Sequence, residues 1–305
     1  MNSLAQFFGQ HALATLLAVS VFMMLVTAVL WRLIDRFWEP FWSLMARLWE
    51  MLASSAFGEW IRSKPHLRGH FTRSLTAWRF LGIHALLSFL VALLAFGAFV
   101  ELADAIDEQE DFALFDAALT QSLGANVGEA TLELFALVTH LGDREVTIGI
   151  GIIVGLYMLA RRWWLHAVVW GLTTGLGGVL VRLLKHHFER TRPIHDHALT
   201  DSTGWSFPSG HASGAMLVYG MLGYFLIRHT PRAWHIPIAL VTITLITFVG
   251  FSRVILQVHY LSDVLAGFAV AGAWMALWVA AFEVVRRRAR HGDRVKEALS
   301  ETRDG

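Results

Sequence analysis

The chain has 305 residues and a formal net charge of +1; 55% of its residues are hydrophobic and 16% charged, against about 25% charged in an ordinary soluble domain. The near-neutral balance excludes a global basic field for nucleic acid, so no nucleic-acid partner is expected. The absence of cysteine excludes disulfides, thiolate metal sites and cysteine nucleophiles.

Apolar runs near the ~20 residues that a helix needs to cross a bilayer predict an all-α fold, a polytopic membrane helical bundle. In chain order we expect seven spans, at about 12–31, 81–103, 145–160, 166–184, 209–227, 235–252 and 262–285. The first is too long for a signal-peptide core and has no basic stretch before it. Residues 35–62 are not a span. There Trp38, Trp42, Met45, Trp49 and Leu52 recur at helical spacing with Glu39, Arg47 and Glu50 between them, the pattern of an amphipathic helix on the membrane surface. The basic stretch 62–79 reads as a linker. Thirteen tryptophans, many near span ends, read as interfacial anchors. No internal repeat is present.

Loop charges set the expected orientation. Residues 32–80 hold eight Lys/Arg, and Arg161, Arg162, Arg228, Arg232 and the run Arg286–Arg290 add more, whereas 80–143 hold none and 101–111 are acidic. Basic loops inside put the N-terminus outside and the C-terminus in the cytoplasm. Lys185, Arg190, Arg192 and Arg253 then fall on the outer side, against the rule.

Three polar clusters fall at that outer end: "KHHFERTRP" (185–193), "PSGH" (208–211) and "SRVILQVHYLSD" (252–263). Lys185, Arg192 and Arg253 offer cations suited to phosphate oxygens. Pro208 reads as a first helical residue, so that the amides of Ser209 and Gly210 point out of a helix N-terminus. Ser262 reads as an N-cap that places Asp263 in the first turn. His259, four residues earlier, can meet that carboxylate and keep one ring nitrogen free. His211, from another helix, can protonate a leaving oxygen and later deprotonate water. Taken singly, each cluster reads as well as a turn, a cap or a headgroup anchor. Ionisable groups at membrane depth, however, mark function. His186, His187, His195 and His197 read as surface or headgroup contacts rather than a metal site. Thr139, His140 and Asp143 are placed near the entrance without a role.

The ordered patterns K-x6-R-P, P-S-G-H and S-R-x5-H-x3-D resemble the type-2 phosphatidic acid phosphatase family over residues 81–285. The resemblance implies a six-helix phosphatase core with an extra N-terminal transmembrane helix. The domains are then an anchor with an interfacial helix (1–80), the core (81–285) and a basic cytoplasmic tail (286–305). It also implies His259 as nucleophile, Asp263 as its orienting group and His211 as general acid, with phosphate held by Lys185, Arg192, Ser209, Gly210 and Arg253. No metal or other cofactor is implied. Leu261 departs from a frequent family proline. The expected partner is a membrane lipid phosphate or diphosphate, such as undecaprenyl diphosphate, phosphatidic acid, phosphatidylglycerophosphate or a lipid A phosphate. The expected location is a bacterial inner membrane with the site facing the periplasm. Phosphotransfer to a second lipid, and a binding or transport protein without catalysis, stand as alternatives; a vanadate pocket is disfavoured by the spans. Residues 101–129 are expected as a lid.

Overall fold

A computed structural model describes residues 2–55, 65–106, 111–194, 199 and 203–304. Its regular elements are all helical. Two N-terminal helices, α1 (Asn2–Gln10) and α2 (Ala12–Ser54), precede α3 (Pro65–Asp104), α4 (Asp111–Asn126) and α5 (Glu129–Thr139). A 3-10 turn (His140–Gly142) leads into α6 (Arg144–Ala160). α7 (Trp164–Gly171) continues through a π-helical turn (Leu172–Leu176) into α8 (Gly177–Phe188). Then come α9 (Gly210–His229), α10 (His235–Ile255) and α11 (Leu261–Asp304).

Among the described residues six stretches are long and apolar enough to cross a bilayer: Ala12–Phe37, Ala85–Asp104, Trp164–Phe188, Gly210–His229, Arg232–Ile255 and Leu261–Ala289. They match six of the seven expected spans. The remaining one is α6, whose 17 residues rise roughly 26 Å, a little short of the ~30 Å hydrocarbon core.

Three expected boundaries dissolve into longer helices. α2 runs from the first span through Pro40 to Ser54 without a break, so the amphipathic stretch continues the span. The side chains of Trp38, Trp42, Met45, Trp49 and Leu52 lie outside the described ones. Residues 65–79 are the start of α3 rather than a linker, and α11 carries the basic tail. The physical reason is shared: a change of side-chain polarity leaves the backbone ladder intact, and Pro40, Gly69 and Gly292 lie inside these helices without ending them. The expected lid differs too. Residues 111–126 form α4, with Phe115, Leu119 and Leu123 buried against α1.

α9 lies at the centre. It packs on α10 and α11 around Met221, Phe225, Ile246, Val249 and Phe282, with Met158 and Trp170 from α6 and α7. Trp170 donates its indole N–H to the Gly151 carbonyl at 2.8 Å, which satisfies the polar handle of a buried ring. At one end of the bundle Ala5 of α1 packs with Ala212, Val254 and Val264, and Leu16 of α2 packs with Ile255, Leu256 and Val258. The far end is tied by Arg232 to Asp35 at 2.7 Å and by the Tyr224 hydroxyl donating to Glu283 at 2.8 Å. The chain therefore starts at the end that gathers the polar clusters.

Candidate active site

The third cluster is shaped by how α10 ends. Gln257 adopts a left-handed backbone (φ 53). Its amide bonds to the Val254 carbonyl (2.9 Å) and the next amide, Val258, to the Arg253 carbonyl (3.1 Å). This is a Schellman turn with glutamine where glycine is usual. It folds His259 back beneath Arg253, and the His259 amide also bonds the Arg253 carbonyl at 3.2 Å. The five residues between Arg253 and His259 thus span one helix terminus.

α11 begins at Leu261, so Ser262 lies in the first turn and is not the N-cap. The cap is supplied from two other sources. Asp263 Oδ2 reaches back to accept the Tyr260 amide at 2.9 Å, the reciprocal half of a capping box. Asp116 of α4 accepts the Ser262 amide at 3.2 Å and the Ser262 hydroxyl. Leu261 occupies a position where proline fits equally well, because a first-turn amide has no helical partner. That departure therefore leaves the turn intact.

His259 is 1% exposed. Its Nδ1 lies 3.3 Å from Asp263 Oδ2 and 3.2 Å from the Ser206 hydroxyl. The same hydroxyl donates to Asp263 Oδ2. Its Nε2 faces Arg192 Nη1 at 3.0 Å. Burial holds the imidazole well below its ordinary 6.5, against the hydrogen bond and charge of Asp263. The ring is therefore neutral, with Nε2 carrying a lone pair.

The cations come from the first cluster and from α10. Lys185 Nζ donates to the carbonyls of Trp205 (2.6 Å) and Ser206 (3.2 Å). Arg192 binds the carbonyls of Gly204 (2.9 Å) and Val258 (2.8 Å) as well as facing His259. Both staple the loop ahead of α9 over His259. Arg253 is 3% exposed. Its Nη1 donates to the Thr139 hydroxyl at 2.8 Å, and its Nε has no partner among the described residues.

α9 starts at Gly210 with Ser209 as its N-cap, so Pro208 precedes the helix and is not its first residue. The Ser209 amide is taken by the Asp263 carbonyl at 2.9 Å. The expected pair of outward amides is thus reduced to that of Gly210. Ser209 makes no side-chain cap, and its buried hydroxyl has no partner among the described residues. Two orphaned polar atoms, Ser209 Oγ and Arg253 Nε, are what a cradle awaiting an oxyanion presents. A Cβ on Gly210 would meet only Lys185 Cε, at 3.7 Å.

His211 is held from the other side. Its Nε2 bonds Asp143 Oδ1 at 2.9 Å, and Asp143 Oδ2 bonds His140 Nδ1 at 2.7 Å. Asp143 sits in an N-cap position yet makes no capping bond, because both carboxylate oxygens are spent on imidazoles. Burial pushes its carboxyl up, but the hydrogen bonds from His140 and His211 outweigh this and leave it below the ordinary carboxylate value. The 3-10 turn that carries His140 and leads into Asp143 is pinned by Tyr219, whose hydroxyl donates to the Leu141 carbonyl at 2.5 Å.

Gly142 in that turn has no room for a side chain. A Cβ would lie 2.4 Å from Val249 Cγ1 and 3.0 Å from His211 Cδ2. We expect Gly142→Ala to displace His211 from Asp143. The expected loss of kcat is at least about 10-fold and the expected destabilisation about 1–3 kcal/mol, read by turnover and thermal melting of the purified protein.

All eight residues expected from the sequence (Lys185, Arg192, Ser209, Gly210, His211, Arg253, His259 and Asp263) gather at this end. Of the shell behind them, sequence reasoning missed Asp116 and Ser206, and it named Thr139, Asp143 and Arg190 without a role. Asp143 stood in a visible break, "LGD", and Arg190 in the run "KHHFERTRP". Neither carries a spacing that announces its partner. His186 and His187 are exposed on α8, while His195 and His197 lie outside the described residues. Among the described residues no three His, Asp or Glu side chains gather around a common metal position.

A family model described as the PAP2 superfamily matches residues 166–287. Phosphatidylglycerophosphatase B of Bacillus subtilis is 36% identical over 141 residues, covering 45% of this chain and 68% of the relative. The chain belongs to the PAP2 superfamily. Lipid A 1-phosphatases of Rhizobium johnstonii and Rhizobium etli are each 32% identical, over 47% and 46% of their own lengths. The crystal structure of a transmembrane PAP2 type phosphatidylglycerolphosphate phosphatase from Bacillus subtilis superposes with a TM-score of 0.57 at 30% identity, covering 63% of this chain and 94% of that one. This PAP2 protein is thus an integral-membrane helical bundle. Thr139, Asp143 and Asp116 precede the segment matched by the family model.

Proposed function

We propose that this PAP2 protein is a membrane lipid phosphatase that works through a phosphohistidine on His259, without a metal. The observation that carries the reading is a pair of oppositely wired histidines. Asp263 holds Nδ1 of His259 and leaves Nε2 toward Arg192; Asp143 holds Nε2 of His211 and leaves Nδ1. One imidazole is set up to attack and the other to give a proton, which binding alone does not require.

In the first step the phosphate takes over the Arg192 guanidinium, so the His259 lone pair becomes available. Nε2 attacks phosphorus in line, the P–O bond to the lipid breaks, and His211 gives its proton to the leaving oxygen. Arg253, Lys185, the Ser209 hydroxyl and the Gly210 amide stabilise the charge spread over the equatorial oxygens. In the second step water attacks phosphorus, His211 takes its proton, and inorganic phosphate leaves with His259 restored. A monoester yields the lipid alcohol; a diphosphate yields the lipid monophosphate.

Residues 81–285 form the catalytic core in this reading, with 1–80 as anchor and 286–305 as cytoplasmic tail. The Lys/Arg pattern of the loops supports a periplasm-facing site in a bacterial inner membrane. The names of the relatives favour a glycerophospholipid or lipid A phosphate; undecaprenyl diphosphate and phosphatidic acid fit the same chemistry.

The test is phosphate release by the detergent-purified protein in EDTA. The panel is phosphatidylglycerophosphate, phosphatidic acid, undecaprenyl diphosphate, a lipid A phosphate and a soluble phosphate ester. Release from at least one lipid that is undiminished by EDTA is expected. Activity that needs an added divalent cation rejects the metal-free scheme.

A further inference from the structure

The phosphatase reading uses Asp263 to orient His259 but leaves open what orients Asp263. The His259 contact cannot do it, because at 3.3 Å it is the longest bond that the carboxylate makes. Oδ2 is shared among the Ser206 hydroxyl, the Tyr260 amide and His259. Oδ1 belongs to a residue at an unspecified position inside the first signature: Arg190 Nη1 donates to it at 2.7 Å.

Arg190 is itself fixed on every side. Nη1 also donates to the Ser262 hydroxyl at 2.6 Å. Nη2 pairs with Asp116 Oδ2 at 3.2 Å. The guanidinium carbon stands 4.3 Å from the centre of the Tyr260 ring. Both carboxylate side chains are 0% exposed and Arg190 only 12%. Asp116 in turn ties the first turn of α11 through the Ser262 amide and hydroxyl. One planar fork thus joins α4, the strap after α8 and the start of α11, and points away from the phosphate cradle.

We propose that Arg190, backed by Asp116, is a positioning residue that sets the angle of the Asp263 carboxylate and, through it, the aim of His259 Nε2. The inference rests on the phosphohistidine reading. Arginine is required because three acceptors on two carboxylates and a hydroxyl must be met by nitrogens in one plane, stacked on a ring. Lysine keeps the charge but has one nitrogen and no plane. Arg190 is not a phosphate ligand in this reading: two buried carboxylates hold its terminal nitrogens, whereas neutral carbonyls and an imidazole, which an incoming anion can displace, hold those of Arg192.

The test is a double-mutant cycle on the detergent-purified full chain. The variants are Arg190→Lys, Asp263→Asn and the two combined. The substrate is phosphatidylglycerophosphate, or the panel lipid that the wild type hydrolyses fastest. Arg190→Lys is expected to lower kcat by about 10- to 100-fold, the range for a supporting shell, and to leave KM within about 2-fold. In the Asp263→Asn background the same change is expected to cost less than about 3-fold, because a residue that acts through Asp263 has nothing left to act on. Asp116→Asn, which keeps the shape, should give a smaller loss of kcat that is also silent beside Asp263→Asn. This variant carries the test if Arg190→Lys does not fold. Normal kcat in the single variants, losses that multiply in the double variant, or a raised KM at unchanged kcat would overturn the proposal. A His259→Ala protein as active as the wild type removes the reading beneath it; an inactive one beside an unimpaired Arg190→Lys sinks this proposal alone.

Discussion

His259→Ala should release no measurable phosphate from any lipid that the wild type hydrolyses. The expected loss in kcat is on the order of 10⁴-fold or more, the scale on which removal of a nucleophile acts. No neighbouring group can take over. Ser206 donates its hydroxyl to Asp263, a carboxylate already shared with Arg190 and the Tyr260 amide and too weak a base to ionise a serine. The fold should survive: α10 is closed by its own Schellman turn and α11 is capped by Asp263 and Asp116, all without the imidazole. Size-exclusion and thermal melting beside the assay would check this, and turnover within 10-fold of wild type would reject the covalent scheme. The acid side of the wild-type pH profile carries the same logic. Protonation of His259 abolishes attack, and burial holds its pKa well below the ordinary 6.5. Loss of kcat/KM through this group is therefore expected only below that value as pH falls.

His211→Ala should also disable the enzyme, but in a way that depends on the substrate. A general acid contributes about 10²–10⁴-fold, most where the leaving group is a poor one. A lipid alkoxide needs the proton; an activated aryl phosphate does not. The variant is therefore expected to lose about 10³-fold on the lipid and to recover most of its relative activity on the aryl ester, whereas His259→Ala stays inactive on both. Equal losses of the two variants on both substrates would mean that His211 only binds. Asp143 lies behind this role. It holds His211 Nε2 at 2.9 Å, and its lowered pKa keeps it a carboxylate throughout the range in which the acid must be charged.

The reacting residues were legible because their spacing is local. S-R-x5-H-x3-D is a helix end, one turn and a helix start, and the intervals follow from that geometry however the rest of the chain packs. P-S-G-H was legible as a helix start, although the cap proved to be Ser209 and its amide is taken by Asp263. What was not legible lies between segments distant in sequence. Arg190 sat in full view in a basic run, but its partner Asp116 is 74 residues away. Asp143 marked a visible break, but its partner His211 is 68 residues away. No periodicity reports such a pair. The helix ends misled for a related reason. A charge shift at 62–79 or after 285 changes which solvent a helix prefers, but it does not by itself stop the helix.

By itself the amino-acid sequence determined the membrane bundle and the histidines, aspartate and cations that gather at one end of it. Those follow from apolar length and from residues a few positions apart, where backbone geometry alone sets the distance. Only the tertiary structure decided which nitrogen of each histidine is held, that Arg190 is occupied by two carboxylates rather than free for substrate, and that Ser209 Oγ and Arg253 Nε are left without partners among the described residues. Hydrogen-bond allocation in a buried site is a competition among groups that packing brings within about 3 Å, and the winner is not written in any one segment.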